Sequence, residues 1–255
     1  MIRLRDLAKS YGAQTAVRGI SLEIPDGELV GLLGPNGAGK TTTIRMMTGM
    51  LTPTSGTAEI EGADVVKDPI AVKRVVGYVP ESGALFEALT AQEYLRFVAS
   101  LYAIPEAEAD ARIARFAQFF ELDEPTLRKP LSSYSKGMRQ KVVITSALLH
   151  NPRVVLFDEP LNGLDANAAL SFKTLITTLA REGKTIVYCS NILDVVERVC
   201  DRVIIIHQGA VVADGTVEAL KAQAGESSLE RVFNRLTGTE NLLARAEEFA
   251  RALSQ

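Results

Sequence analysis

Residues 34–41 read Gly-Pro-Asn-Gly-Ala-Gly-Lys-Thr, the pattern G-x-x-x-x-G-K-T, set between an apolar run, LVGLL, and a helical one, TTTIRMM. This arrangement restricts the fold more than any other stretch, because it needs a strand, a tight loop and a helix in that order. Gly34, Gly37 and Gly39 let the backbone turn sharply and aim its N–H groups at phosphate oxygens, and the following helix adds the positive end of its dipole. Lys40 is placed to pair with the β and γ phosphates. Thr41 would offer its hydroxyl to Mg²⁺, a hard cation that takes oxygen ligands and keeps several waters. Pro35, Asn36, Ala38 and Thr42 complete the phosphate-binding set.

The rest of the chain fits that frame. Short β-branched runs alternate with helical patterns, the habit of a largely parallel sheet covered by helices on both faces, so the fold class is α/β. The opening differs: IRLRDLAKSY, TAVRGISLEI and ELVGLLG follow one another with only short turns and predict an antiparallel segment, to which TAEIEGADV also belongs. From Thr90 to His150 the pattern is helical. Thr90 and Glu93 form a capping box, and Tyr94, Leu95, Val98, Leu101 and Tyr102 share one predicted helical face. EADARIARFAQFFEL predicts a second helix. A helical lobe is thus expected between two halves of the α/β core, which resumes at RVVLFDEP.

In that segment Val154 to Phe157 predict a strand buried on both faces, with Asp158 and Glu159 at its C-terminal end, where ligands bind in such sheets. Asp158 is expected in the Mg²⁺ shell. Glu159, expected on the opposite side of the strand, could take a proton from an attacking water. Phosphate loop and carboxylates together leave kinase, GTPase and transport ATPase open.

Composition excludes several classes. With 255 residues, 47% apolar and 23% charged, the chain is long enough to bury a full core. No apolar run exceeds about five residues, against the roughly 20 of a membrane span. The N-terminal stretch lacks the features of a signal peptide, so a cytosolic protein is expected. A net charge of -3 without a basic stripe gives nucleic-acid binding no support. Cys189 and Cys200 have no metal-ligand spacing and are read as reduced thiols. His150 and His207 are read as surface or packing residues.

LSSYSKGMRQKV, residues 131–142, decides among the nucleotide enzymes. With GPNGAGKTT, GYVPE, VVLFDEP, LNGLD and SNILDVVERVCDRV, it resembles the signature of ATP-binding cassette (ABC) proteins over residues 1 to about 237, in the form found in bacterial exporter-type subunits. The resemblance implies a P-loop NTPase (RecA-like) core with an antiparallel β subdomain and an inserted helical subdomain. On that reading residues 1–220 form the ATPase domain, about 88–150 the inserted lobe, and 221–255 a C-terminal helical extension, with Leu242, Leu243, Ala246, Phe249, Ala250 and Leu253 on one helical face. ATP and Mg²⁺ are the implied ligands. Tyr11 would stack on adenine. Ser135 and Gly137 begin a helix whose hydroxyl, N–H groups and dipole would address the γ-phosphate held by a second copy, in a head-to-tail dimer crossed by the loop Asn162 to Asp165.

Two positions depart from the family pattern. Glu81 stands where glutamine is usual; it keeps an oxygen for Mg²⁺ but loses the amide donors. Asn191 stands where histidine is usual: SNIL for SHIL. An amide can donate to phosphate, but it is shorter than imidazole and cannot carry a proton at pH 7. Losing one preorganised donor costs roughly 10² to 10³ in rate. One reading is therefore an ATPase of modest speed that drives a separate membrane permease, on the cytoplasmic face of the membrane. Another is a hydrolysis-impaired subunit, paired with a competent partner or acting as an ATP-dependent dimerisation switch. A soluble member acting on ribosomes or DNA is the third. For permease contact the resemblance points to Ser82–Phe86 and the Tyr94–Tyr102 helix, and it leaves the cargo undetermined.

Overall fold

The computed structural model describes residues 1–238, 249, 251 and 252. Strands β1 (Ile2–Tyr11) and β2 (Gln14–Ile24) pair antiparallel, and β4 (Ser55–Ile60) and β5 (Ala63–Asp64) extend them in the order β2-β1-β4-β5. Strand β3 (Leu29–Leu33) does not join them, which corrects the sequence grouping of ELVGLLG with the antiparallel segment. It lies instead parallel to and between β8 (Thr185–Cys189) and β9 (Arg202–His207). All five β3 residues are buried, whereas β1 and β2 mix buried and exposed positions. Burial on both faces is what a central parallel strand demands.

The second sheet has the order β10-β9-β3-β8-β7-β6, with β6 (Val76–Val79) and β7 (Val154–Asp158) parallel to the others and β10 (Ala210–Thr216) antiparallel at the edge. Period-two alternation along its strands sorts their residues between two cores. Val155, Phe157, Ile186, Tyr188, Val203 and Ile205 join one with the helical lobe. Val154, Leu156, Val187, Cys189, Ile204 and Ile206 join the other with the antiparallel sheet and α1 (Lys40–Met47). Helix α8 (Leu193–Val199) lies so close to β3 that a Cβ at Gly31 would sit 2.4 Å from Val196 Cγ1, so only glycine fits there. Helix α7 (Ala166–Arg181) covers β7 and β8 with Phe172, whose ring meets Phe157 edge-on at 5.0 Å. Burying such a ring contributes about 2 to 3 kcal/mol.

Helices α3 (Ala91–Leu101), α4 (Glu106–Phe119), α5 (Glu124–Leu127) and α6 (Lys136–Leu148) fall between β6 and β7, while the short α2 (Pro69–Val75) precedes β6. The capping box forms: Thr90 N donates to Glu93 Oε2 at 2.8 Å, and Glu93 N donates to Thr90 Oγ1 at 3.2 Å. The buried line of α3 is Ala91, Leu95 and Ala99, flanked by Tyr94 and Val98. Leu101 is 67% exposed, against the sequence expectation, because it lies too far around the helix from that line. Helices α9 (Val217–Ala224) and α10 (Leu229–Thr237) bury Val217, Leu220, Leu229 and Val232 in the lobe-side core. Of the predicted apolar tail face, Phe249 is exposed; Leu242, Leu243, Ala246, Ala250 and Leu253 lie outside the described residues. Among the described residues no helix is long and apolar enough to cross a membrane.

Candidate nucleotide site

The loop between β3 and α1 is shaped by contacts that exclude side chains. Gly39 has φ 106°, and a Cβ on it would lie 2.5 Å from the Ala16 carbonyl oxygen; Gly37 also has positive φ. Gly39 is the N-cap of α1 and has no side chain to accept a hydrogen bond from the first turn. The N–H groups at this helix end are therefore left for a ligand. Lys40 follows, buried at 7% exposure. Its Nζ donates to Gly34 O at 2.6 Å, Pro35 O at 3.3 Å and Asn191 Oδ1 at 3.2 Å. All three acceptors are neutral. Among the described residues this buried ammonium makes no ion pair; the charge of Glu159 acts on it only through space, and an incoming phosphate would supply a direct partner.

The carboxylates arrive from β7. Asp158 continues the alternation of Val154 and Leu156 and is 1% exposed. Glu159 lies beyond the strand's end with φ 50°, in the left-handed region that a non-glycine residue rarely adopts. The two carboxylates are thus separated by a backbone turn and not by strand alternation, contrary to the sequence expectation. Glu159 N donates to Cys189 O at 2.9 Å, which anchors the turn to β8. Asp158 Oδ2 and Glu159 Oε1 are buried without a hydrogen-bond partner among the described residues. Burial raises the pKa of Glu159; Lys40 opposes the shift, whereas Asp158 and Glu81 add to it by like charge.

Tyr11, Asn36–Thr42, Glu81, Asp158, Glu159 and Asn191 line one cavity of about 480 Å³. Gly34 and Pro35 stand behind it, at a smaller cleft shared with Asn36, Ser190, Asn191, Leu193 and Phe233. Tyr11 is 51% exposed, with its ring 5.4 Å from Lys9 Nζ. Gln14 and Ala16 also line the cavity, and sequence reasoning missed both. The antiparallel pairing of Tyr11 with Gln14 was the available signal. Asn191 sits between Lys40 and Asn36: its Oδ1 faces the lysine, and its Nδ2 donates to Asn36 Oδ1 at 3.3 Å. Since Lys40 can only donate, it holds the amide oxygen, not the amide N–H, toward itself.

Ser135 and Gly137 are not brought to this cavity. Ser135 caps α6, its hydroxyl accepting from Met138 N at 3.2 Å, and its residue is exposed. A Cβ on Gly137 would meet the Gly163 carbonyl oxygen at 2.5 Å, so the first turn of α6 touches the loop before α7 through these glycines. Neither histidine lines the cavity. His150 stacks on Tyr102 at 3.8 Å with Nε2 3.1 Å from Val76 O, and burial lowers its pKa to about 4. Cys189 and Cys200 are free and buried.

The sequence model of the family described as ABC transporter matches residues 17–162. The ABC transporter ATP-binding protein NatA of Bacillus subtilis (strain 168) is 40% identical over 239 residues, covering 91% of this chain and 96% of its own. A solved ATP-binding subunit of an ABC transporter superposes with a TM-score of 0.87 at 35% identity, over 92% of this chain and 99% of its own. A dimeric ATP-binding cassette in a post-hydrolysis state, bound to ADP and Pi, superposes with a TM-score of 0.79 at 26% identity, over 85% and 98%.

Proposed function

Because this chain belongs to the ABC transporter family as an ATP-binding subunit and ATPase, we propose that Glu159 is its catalytic base and that a second subunit completes each site. The observation that carries this reading is one cavity uniting a buried Lys40, hydrogen-bonded only to neutral oxygens, with two buried carboxylate oxygens that have no hydrogen-bond partner among the described residues. The loop N–H groups and Lys40 bind the phosphates, and Tyr11 offers a half-exposed ring to the base. Desolvated and with a raised pKa, Glu159 accepts a proton more readily than a solvated carboxylate, as a base for water requires. Asn191 and Asn36 hold the lysine side of the site.

Mg²⁺ fits the oxygens present. Asp158 Oδ2 is buried without a hydrogen-bond partner among the described residues, and Thr41 and Glu81 line the same cavity. These residues would hold the ion, which when bound neutralises developing phosphate charge. Among the described residues no group of three or more His, Cys, Asp and Glu could hold a metal alone, in keeping with a cation that also needs nucleotide phosphates.

Ser135 and Gly137 lie outside their own chain's cavity, and on this reading they serve the nucleotide of a second subunit in a head-to-tail dimer. The subunit drives a separate permease, probed at the membrane surface through an exposed apolar face. Phe86, 60% exposed, packs edge-on to Phe97 at 5.8 Å, and the adjoining cleft holds Met50, Tyr94, Leu101 and Tyr102. Transport outward from the cytoplasm accords with the Tyr134–Met138 form of the signature.

Mg-ATP turnover at high protein concentration, compared with Glu159→Gln and Asn191→His, tests the assignment. Native turnover about 10² to 10⁴ above Glu159→Gln is expected. Native turnover equal to that variant, recovered by Asn191→His, would replace it with a subunit that holds ATP without hydrolysing it.

A further inference from the structure

We propose that the protein also binds a small amphipathic anion, a carboxylate on an aliphatic or aromatic body, where α4 meets α7 and the turn between α6 and β7. A pocket there has a volume of about 380 Å³, within the usual range for small-molecule sites of roughly 300 to 1,000 Å³. It shares no lining residue with the nucleotide cavity. Phe116, Phe119, Leu175 and Leu179 supply an apolar wall, and Arg112, Arg115 and Lys184 supply cations. Among the described residues no aspartate or glutamate lines it.

Lys184 decides the polarity of the ligand. It is half-buried, and its Nζ donates to Asn151 Oδ1 and to Pro152 O, both at 2.6 Å. Both acceptors are neutral, and neither Lys184 nor the exposed Arg115 makes an ion pair with a described residue. Desolvation lowers the pKa of Lys184, and the charge of Glu182, with which it makes no ion pair, opposes that shift without cancelling it. Arg112 is already tied to Glu108 and to Leu149 O, so it forms a fixed part of the wall. A neutral hydrocarbon would cover the phenyl rings but leave the lysine without an ion pair. A purely polar anion would do the reverse. A ligand with one charged end and one apolar end satisfies both, and about eight to ten carbons suit the volume.

Calorimetric titration of the full chain with decanoate, below its micelle concentration, and with 1-decanol tests the proposal. Saturable one-to-one binding of decanoate is expected, with decanol at least about tenfold weaker. Lys184→Met should weaken decanoate about tenfold and Arg115→Ala about threefold, while ATP affinity stays unchanged. A flat decanoate titration, or equal affinity for the acid and the alcohol, overturns the proposal. So does unchanged decanoate affinity in a folded Lys184→Met; should that variant not fold, unchanged affinity in Arg115→Ala, an exposed position, decides against it.

Discussion

Two helices of this protein begin with groups suited to phosphate, and their first turns are built in opposite ways. Helix α1 starts at Gly39 with no side-chain cap, its N-terminus inside a cavity and its Lys40 buried. Helix α6 starts at Ser135, which caps its own helix, is exposed and lines no part of that cavity. The first is unsatisfied without ligand; the second is locally complete. Ligand therefore contributes stability mainly at α1, whereas α6 holds its shape alone and presents a preformed surface.

Gly39→Ala should break the contrast most severely. A Cβ at φ 106°, 2.5 Å from the Ala16 carbonyl, forces the loop to move; a loss of about 2 to 3 kcal/mol, with nucleotide binding, is expected in chemical denaturation with and without ATP. Ser135→Ala removes only a cap. It should lower the melting temperature of the nucleotide-free protein by about 2 to 4 °C, for about 1 kcal/mol. Thr41→Val sharpens the comparison from the other side: melting without ligand should stay within about 1 °C of native, while the rise produced by Mg-ATP shrinks. Equal behaviour of the Ser135 and Thr41 variants would remove the distinction between the two helix starts.

Stability against pH gives the smallest and most specific signal. The folded-state pKa of Glu159 is raised, so the folded protein holds that proton better than the unfolded chain. Its contribution to stability consequently falls as pH rises from the ordinary carboxyl value through the raised one, and Glu159→Gln should remove that slope and be the more stable at neutral pH. His150 has the opposite sign. Its pKa drops to about 4, so stability is lost as pH falls from the ordinary histidine value near 6.5 toward that figure. Denaturant midpoints of His150→Gln and Glu159→Gln across that range separate the two.

The phosphate loop was legible because its chemistry is local: glycines, lysine and threonine at fixed spacing, between a strand and a helix, need no distant partner to be recognised. The capping box at Thr90 and Glu93 was legible for the same reason. Strand β3 was misgrouped because short turns on either side of it say nothing about which sheet receives it; its uniform burial follows from β8 and β9, more than 150 residues away in sequence. Leu101 was placed on the buried face of α3 because hydrophobicity alone does not tell a core position from an exposed apolar one.

By itself the sequence determined the α/β class, the glycine-rich loop between strand and helix and the adjacent carboxylates, which rest on residue type and spacing, while Glu81 and Asn191 stood out only through the resemblance to a family that usually carries glutamine and histidine there. Only the tertiary structure decided that Glu159 turns off the end of β7 in a left-handed conformation, that Gln14 and Ala16 border the cavity, and that Asn191 turns its oxygen to Lys40. Each of these depends on chain segments far apart in sequence meeting at one point, and hydrogen-bond direction is set by the groups that meet there.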